Sequence, residues 1–144
     1  MKQKLTIGRR ELVDFPELGL YGLTAKVDTG AYTTALHCHD VREEKGTLFL
    51  KLLDPAHTGY TGKEISFTDF TKKDIKNSFG ETESRYIIKT VIRIGRKRIK
   101  SVISLTDRGT MRYPVLIGRK LLKNRYVVDV SLLNNIPPMK SKKK

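Results

Sequence analysis

Apolar residues recur along this chain at short spacing, in runs rich in Val, Ile and Thr bounded by Gly, Asp, Pro and Asn, which is the pattern of β-strands. Leu23, Ala25 and Val27 alternate with Thr24 and Lys26 and then meet Asp28-Thr29-Gly30, predicting a half-buried strand that ends in a tight turn. Thr33 to Cys38 is predicted to leave that turn as the next strand. The run from Gly46-Thr47 through Leu48, Leu50 and Leu52, closed by Asp54-Pro55, predicts another, and Glu64 to Phe70 a shorter one. Thr71 to Ser84 is polar, with Phe79-Gly80 near its centre, and is predicted as an exposed turn. Tyr86 to Ile94 and Ile99 to Leu105 form the clearest hairpin, joined by Gly95-Arg96-Lys97-Arg98. Pro114 to Ile117 is a short apolar strand. The spacing of Leu121, Leu122 and Tyr126 permits one or two helical turns after Gly118, and Tyr126 to Val130 returns to strand. The fold class expected is all-β with one short C-terminal helix.

At 144 residues without an internal repeat, the chain matches one domain, residues 1–138, followed by a disordered basic tail, residues 139–144. Hydrophobic residues at 38% and charged residues at 31% place it among ordinary folded proteins. The charge changes the picture more. There are 29 Lys and Arg against 15 Asp and Glu, a net +14, which points to an acidic substrate or partner, or to nucleic acid or the ribosome. Four of the excess charges lie in the tail and five, Arg93, Arg96, Lys97, Arg98 and Lys100, around Gly95, leaving +5 for the remainder. That distribution describes a mildly basic domain with a basic hairpin tip available for polyanion contact. The single Cys38 permits no internal disulfide, and no apolar run approaches the roughly 20 residues that cross a bilayer. A reducing, cytoplasmic setting with no membrane contact is the expectation.

Several chemistries lose their basis in the sequence. No Gly-x-Ser-x-Gly elbow, no P-loop ending in Gly-Lys-Ser/Thr and no His-Glu-x-x-His pair occurs. What remains is Val27-Asp28-Thr29-Gly30-Ala31, a carboxylate delivered at the end of a strand on a turn that Gly30 eases. Such a carboxylate suits use in pairs. Two Asp side chains a few Å apart cannot both ionise, so they share a proton, one activating water while the other donates to a carbonyl. The tripeptide alone arises by chance in about one in thirty chains of this length.

About ninety residues on, Tyr113-Pro114-Val115-Leu116-Ile117-Gly118-Arg119-Lys120-Leu121-Leu122 couples an apolar strand to glycine and a short helix. With both segments present, the chain resembles the retropepsin-like aspartic peptidases. More closely it resembles the prokaryotic family labelled ATP-dependent zinc proteases, through Ile7 to Glu11, Ala25 to His37, Arg85 to Ile88, Leu105 to Arg108 and Met111 to Leu122. The resemblance implies a closed β-barrel with one catalytic Asp per chain, completed as a homodimer acting on a peptide or protein substrate. It implies Asp28 as the catalytic carboxylate, Thr29 and Gly30 as its loop, Ala31 and Arg119 in support, and Gly118 packed behind the loop. Phe79 and Gly80 stand where a flap tip is implied. Retroviral members carry an acidic residue after Asp-Thr-Gly-Ala that pairs with the Arg after the later glycine; here Tyr32 stands in its place.

The zinc of that label has a test in the sequence. His37 and His39 lie at i and i+2 on one strand, a spacing that can hold zinc, with His57 further on. A stable site needs a third or fourth ligand, to which the sequence does not point. The reading taken is therefore no metal, with His37 partly buried and bonded to backbone and His39 exposed. Nothing cradles a triphosphate, so no cofactor is expected. The leading expectation is an aspartic endopeptidase. The alternatives are a non-catalytic binding module docking through the basic hairpin to RNA, the ribosome or an acidic protein tail, and, behind it, a zinc hydrolase using His37 and His39.

Overall fold

The alternating runs become strands that hide one face in a shared interior. The structure, a computed structural model, describes residues 3–76, 80, 82–107 and 112–137. In order these are β1 (Leu5–Ile7), β2 (Arg10–Phe15), a 3-10 turn (Pro16–Leu18), β3 (Leu20–Val27), β4 (Thr34–Glu44), β5 (Thr47–Leu52), β6 (Glu64–Phe67), β7 (Thr71–Lys76), β8 (Thr82–Ile94), β9 (Lys97–Thr106), β10 (Val115–Ile117), α1 (Arg119–Leu122) and β11 (Tyr126–Val128). No helix among the described residues is long and apolar enough to cross a membrane.

Six strands close a barrel in the order β10, β3, β2, β8, β9, β4 and back to β10. Closure rests on three residues. Val115 to Ile117 run parallel to Ala25 to Val27 on one side, while Val115 and Leu116 pair antiparallel with Leu36 and Ala35 on the other. The interior is filled by Val13, Phe15, Leu36, Ile92, Ile103 and Ile117, none of them solvent-accessible, each contributing about 1.5–3 kcal/mol relative to exposure. This is the all-β barrel with a short C-terminal helix that the sequence predicts.

β4 serves two neighbourhoods. Thr34 to His37 pair with β9 in the barrel wall, whereas Cys38 to Glu44 pair with β5, with an irregularity between His39 and Arg42 where Asp40 takes φ +53°. β5 then pairs with β6 outside the barrel. The hairpin of β8 and β9 is continuous from Tyr86↔Leu105 to Ile94↔Lys97, turning at Gly95-Arg96.

Four expectations change. Residues 71–84 are not simply a turn: β7 pairs with the first part of β8, from Thr71↔Ile87 to Lys76↔Thr82. β1 and β2 precede the first strand that the pattern predicts. β6 stops at Phe67 before a bend. β11 stops at Val128, because Asp129 starts a turn in which its carboxylate accepts the Ser131 N–H and hydroxyl. The tail, residues 139–144, lies outside the described residues.

β1 and β11 form a separate parallel pair, tied back to the barrel by a buried carboxylate. Glu11 is fully buried and accepts backbone N–H bonds from Gly8 (2.7 Å), Asn135 (2.9 Å) and Ile136 (3.0 Å). Its two oxygens satisfy donors on both flanking segments at once.

Candidate active site

β3 delivers Asp28 to the rim of the barrel. The Asp28 N–H donates to the Ile117 carbonyl (2.8 Å), the last bond of the β3–β10 ladder, and the Ala31 N–H then donates to the Asp28 carbonyl (3.1 Å). Asp28 Oδ1 accepts the Gly30 N–H (3.1 Å), so one carboxylate oxygen is held by the turn. The carboxylate is half-buried, and Thr29 and Gly30 are exposed.

The segment after β10 braces this loop from behind. Arg119 and Lys120, whose N–H groups have no partner inside α1, donate to the carbonyls of Ala31 (2.9 Å) and Tyr32 (3.0 Å). The Arg119 guanidinium donates to the Thr29 carbonyl (2.9 Å) and lies 5.8 Å from the Tyr32 ring. Where the retroviral pattern implies a carboxylate–arginine pair, Arg119 thus meets an aromatic face and a main-chain oxygen. The Gly118 N–H donates to Thr34 Oγ1 (3.1 Å), and a Cβ on Gly118 would lie 2.6 Å from the Tyr32 carbonyl oxygen. Asp28, Thr29, Gly30, Ala31 and Arg119 therefore form one bonded unit, with Gly118 packed behind it.

Other predicted residues disperse. Gly80 is exposed at φ +80° near the tip of the β7–β8 hairpin, and Phe79 lies outside the described residues. Arg93 leaves the basic patch, because both its Nε (2.9 Å) and Nη2 (2.7 Å) donate to Asp14 across the β2–β8 pairing. Arg96 remains exposed at the hairpin tip. Lys97, Arg98 and Lys100 instead line a cleft of about 600 Å³ together with Lys120, Lys123 and Arg125, which lie some twenty residues further along the chain.

His37 and His39 also part company. His37 is fully buried, with Nδ1 3.2 Å from the Thr106 carbonyl and Nε2 2.7 Å from Asp54 Oδ2. His39 is bonded to the Tyr60 hydroxyl (2.9 Å). The residues grouped with His37 are Asp54 and His57, their nearest ligand-type atoms all within 4.8 Å of one another. In the sequence Asp54 marks only the end of a strand.

A closed barrel that presents Asp-Thr-Gly from one strand, braced by a strand-glycine-helix segment, is a retropepsin-like fold. The chain belongs to the RimB-like family, described as the retropepsin-like aspartic endopeptidase RimB, which it matches over residues 6–137. Among curated proteins it is similar to those named "Probable alpha-L-glutamate ligase" from Shewanella pealeana, 33% identical over 132 residues, and Desulfotalea psychrophila, 29% identical over 133 residues. These matches cover 89% and 90% of this chain and 29% of each relative, so the chain spans less than a third of their length. Among solved structures it is similar to Lpg0085 of Legionella pneumophila, a protein of unknown function, with 26% identity and a TM-score of 0.68 over 92% of this chain and 98% of that one. The zinc-protease label of the resemblance does not return in these names.

Proposed function

We propose that this chain is an aspartic endopeptidase that works as a homodimer, two copies of Asp28 forming the catalytic dyad, on acidic, glutamate-rich peptide segments. The observation that carries this reading is the braced Asp28 loop, a carboxylate at a solvent-facing rim with main-chain bonds on both sides. One shared proton serves the dyad. The ionised carboxylate takes a proton from water as the water oxygen bonds the scissile carbonyl carbon, and the protonated partner gives its proton to the carbonyl oxygen. Collapse of the tetrahedral diol returns a proton to the leaving nitrogen as the C–N bond breaks, giving a carboxylic acid and an amine.

The dimer is supported by exposed apolar side chains close to the loop. Val130 and Leu133 lie on a segment whose Leu132 carbonyl accepts the Arg9 N–H (2.9 Å), and the Arg9 carbonyl accepts the Val27 N–H (2.9 Å), next to Asp28. Leu5 and Val127 on the β1–β11 pair are about half exposed. The acidic substrate is supported by the +14 charge, by the basic cleft and by relatives named for glutamate ligation, since the bond a ligase forms is one a peptidase can hydrolyse.

The test uses a peptide with a glutamate-rich extension. Asp28→Asn is expected to abolish cleavage with an unchanged melting temperature, and wild-type rate is expected to rise with the square of enzyme concentration when dilute. Cleavage by Asp28→Asn, or a rate proportional to concentration for a demonstrated monomer, overturns the shared dyad. The basic cleft favours a second reading, an anion-binding module without catalysis. Tight binding of the peptide by wild type and Asp28→Asn, with cleavage by neither, selects it.

A further inference from the structure

We propose that His37, Asp54 and His57 form a zinc site, separate from Asp28, that fastens the loop after β5 to the barrel. The loop is shaped for it. Leu53 takes φ +67° and donates its N–H to the His37 carbonyl (2.9 Å), turning Asp54 beneath the imidazole. Asp54 Oδ1 accepts the Ala56 N–H (2.8 Å) and the Asp54 carbonyl accepts the His57 N–H (3.0 Å), which brings the second imidazole back over the same carboxylate.

The hydrogen-bond inventory asks for a cation at this point. A carbonyl oxygen only accepts, so the Thr106 carbonyl fixes the proton of His37 on Nδ1 and leaves the lone pair of a neutral imidazole on Nε2. That lone pair faces Asp54 Oδ2 at 2.7 Å, another acceptor. His57 Nε2 lies 3.5 Å from the same oxygen, buried and without a hydrogen-bond partner. A second proton on His37 settles only the 2.7 Å contact, and a proton on His57 Nε2 would reach Asp54 only across 3.5 Å; a metal ion serves all three atoms. Two imidazole nitrogens and one carboxylate oxygen are the donor set of zinc, and donation of the other ring N–H to a main-chain carbonyl is the outer contact that orients a metal-binding histidine. Zinc bonds of about 2.0–2.1 Å set tetrahedral ligand atoms roughly 3.3 Å apart, so binding draws the cluster together and opens the 2.7 Å contact. His57 also lines a cleft of about 350 Å³ with Ala56, Thr58, Arg10 and Tyr113, a path for entry.

The site is structural by position. The His37 N–H donates to the Pro114 carbonyl just before β10, whereas Asp28 bonds Ile117 at its far end, about 10 Å along the strand. The inference does not depend on the peptidase reading, and Asp28→Asn is expected to keep the zinc response.

The test is zinc itself added to protein dialysed against EDTA and then metal-free buffer, read by zinc content after desalting and by thermal melting. One zinc per chain is expected, with a rise in melting temperature of roughly 5–10 °C at a hundredfold excess over the dissociation constant. His37 is part of the barrel wall, so the informative variant is His57→Ala. It is expected to melt like zinc-free wild type and to lose the zinc response, while His39→Ala keeps it. No retained zinc, an equal response from His57→Ala, or an equal rise with magnesium overturns the proposal.

Discussion

Replacing Gly118 by Ala isolates how the barrel positions the Asp28 loop. The backbone of Gly118, at φ −92° and ψ 173°, is open to any residue, so the substitution carries no conformational strain of its own. Its cost is contact. The new Cβ would sit 2.6 Å from the Tyr32 carbonyl oxygen and 2.7 Å from the Thr33 carbonyl carbon, main-chain atoms that no rotamer change can move. Restoring ordinary contact requires roughly 0.8 Å of movement between β10 and the loop. Overpacking of this kind costs about 1–3 kcal/mol, a fall in melting temperature of roughly 3–10 °C for a domain of this size. The movement passes to Asp28 through the bonds that join Arg119 to Ala31 and Thr29, and a displacement near 1 Å lowers kcat/KM by about a hundredfold. The assay is peptide cleavage at a temperature where both proteins are folded, beside thermal melts. Gly46→Ala is the control, since Gly46 sits at φ +80° with open space around its Cβ position. It is expected to lose about 1–2 kcal/mol to backbone strain and to keep its kcat/KM. Gly118→Ala with unchanged activity and melting temperature refutes the bracing argument, and a lowered melting temperature with intact activity refutes its catalytic half.

Glu11→Gln should cost about 2–4 kcal/mol in chemical denaturation, because an amide offers one acceptor oxygen where three main-chain N–H groups converge, and turns donors toward donors. Stability should fall as pH rises from 9 toward 12. Burial, then the Asp107 charge, pushes the Cys38 thiol from 9.0 up to about 12, and burial pushes the Tyr126 phenol from 10.0 up to about 12. The unfolded chain releases both protons first, so their contribution is fully present below pH 9; a denaturation series over this range that stays flat contradicts it. Reversing Lys97, Arg98 and Lys100 to Glu should raise KM for a glutamate-rich peptide more than tenfold at low salt, whereas an unchanged KM places substrate elsewhere. A homodimer doubles the +14 charge, so its dissociation constant, followed by sedimentation, should fall as salt rises toward physiological strength.

How much of this was legible in the sequence depended on whether the deciding contacts were local. β3 and β5 could be read from their alternation, and the β8–β9 hairpin and β10 from apolar runs bounded by turn residues. β2 hid itself, since Glu11 occupies an inward position beside Val13 and Phe15, and its burial is rational only once Asn135 and Ile136 arrive from the other end of the chain. Among its described side chains, Thr71 to Asp74, β7 displays no buried side. Its described side chains are exposed, and only main-chain pairing to β8 makes it a strand. Arg93 looked like surface charge because its partner Asp14 is 79 residues away. Asp54 carries no sign of this role in the sequence, and nothing there joins His57 to His37, because the turn that folds them together depends on Leu53 taking a left-handed conformation that its side chain does not advertise.

The closing strand has a kinetic consequence. β10 is only three residues long and joins strands that precede it by some eighty to ninety positions, so it can dock only after the rest of the barrel wall exists, and the entropy of that closure is spent for few bonds. The Asp28 turn is pinned by Ile117 and backed by Gly118, and the histidine cluster is anchored through Pro114. A chain emerging during synthesis, or one locally opened at this seam, therefore carries the acid without the frame that orients it. The frame around Asp28 is thus completed in the last step of the chain's own folding and is the first feature lost when the seam parts.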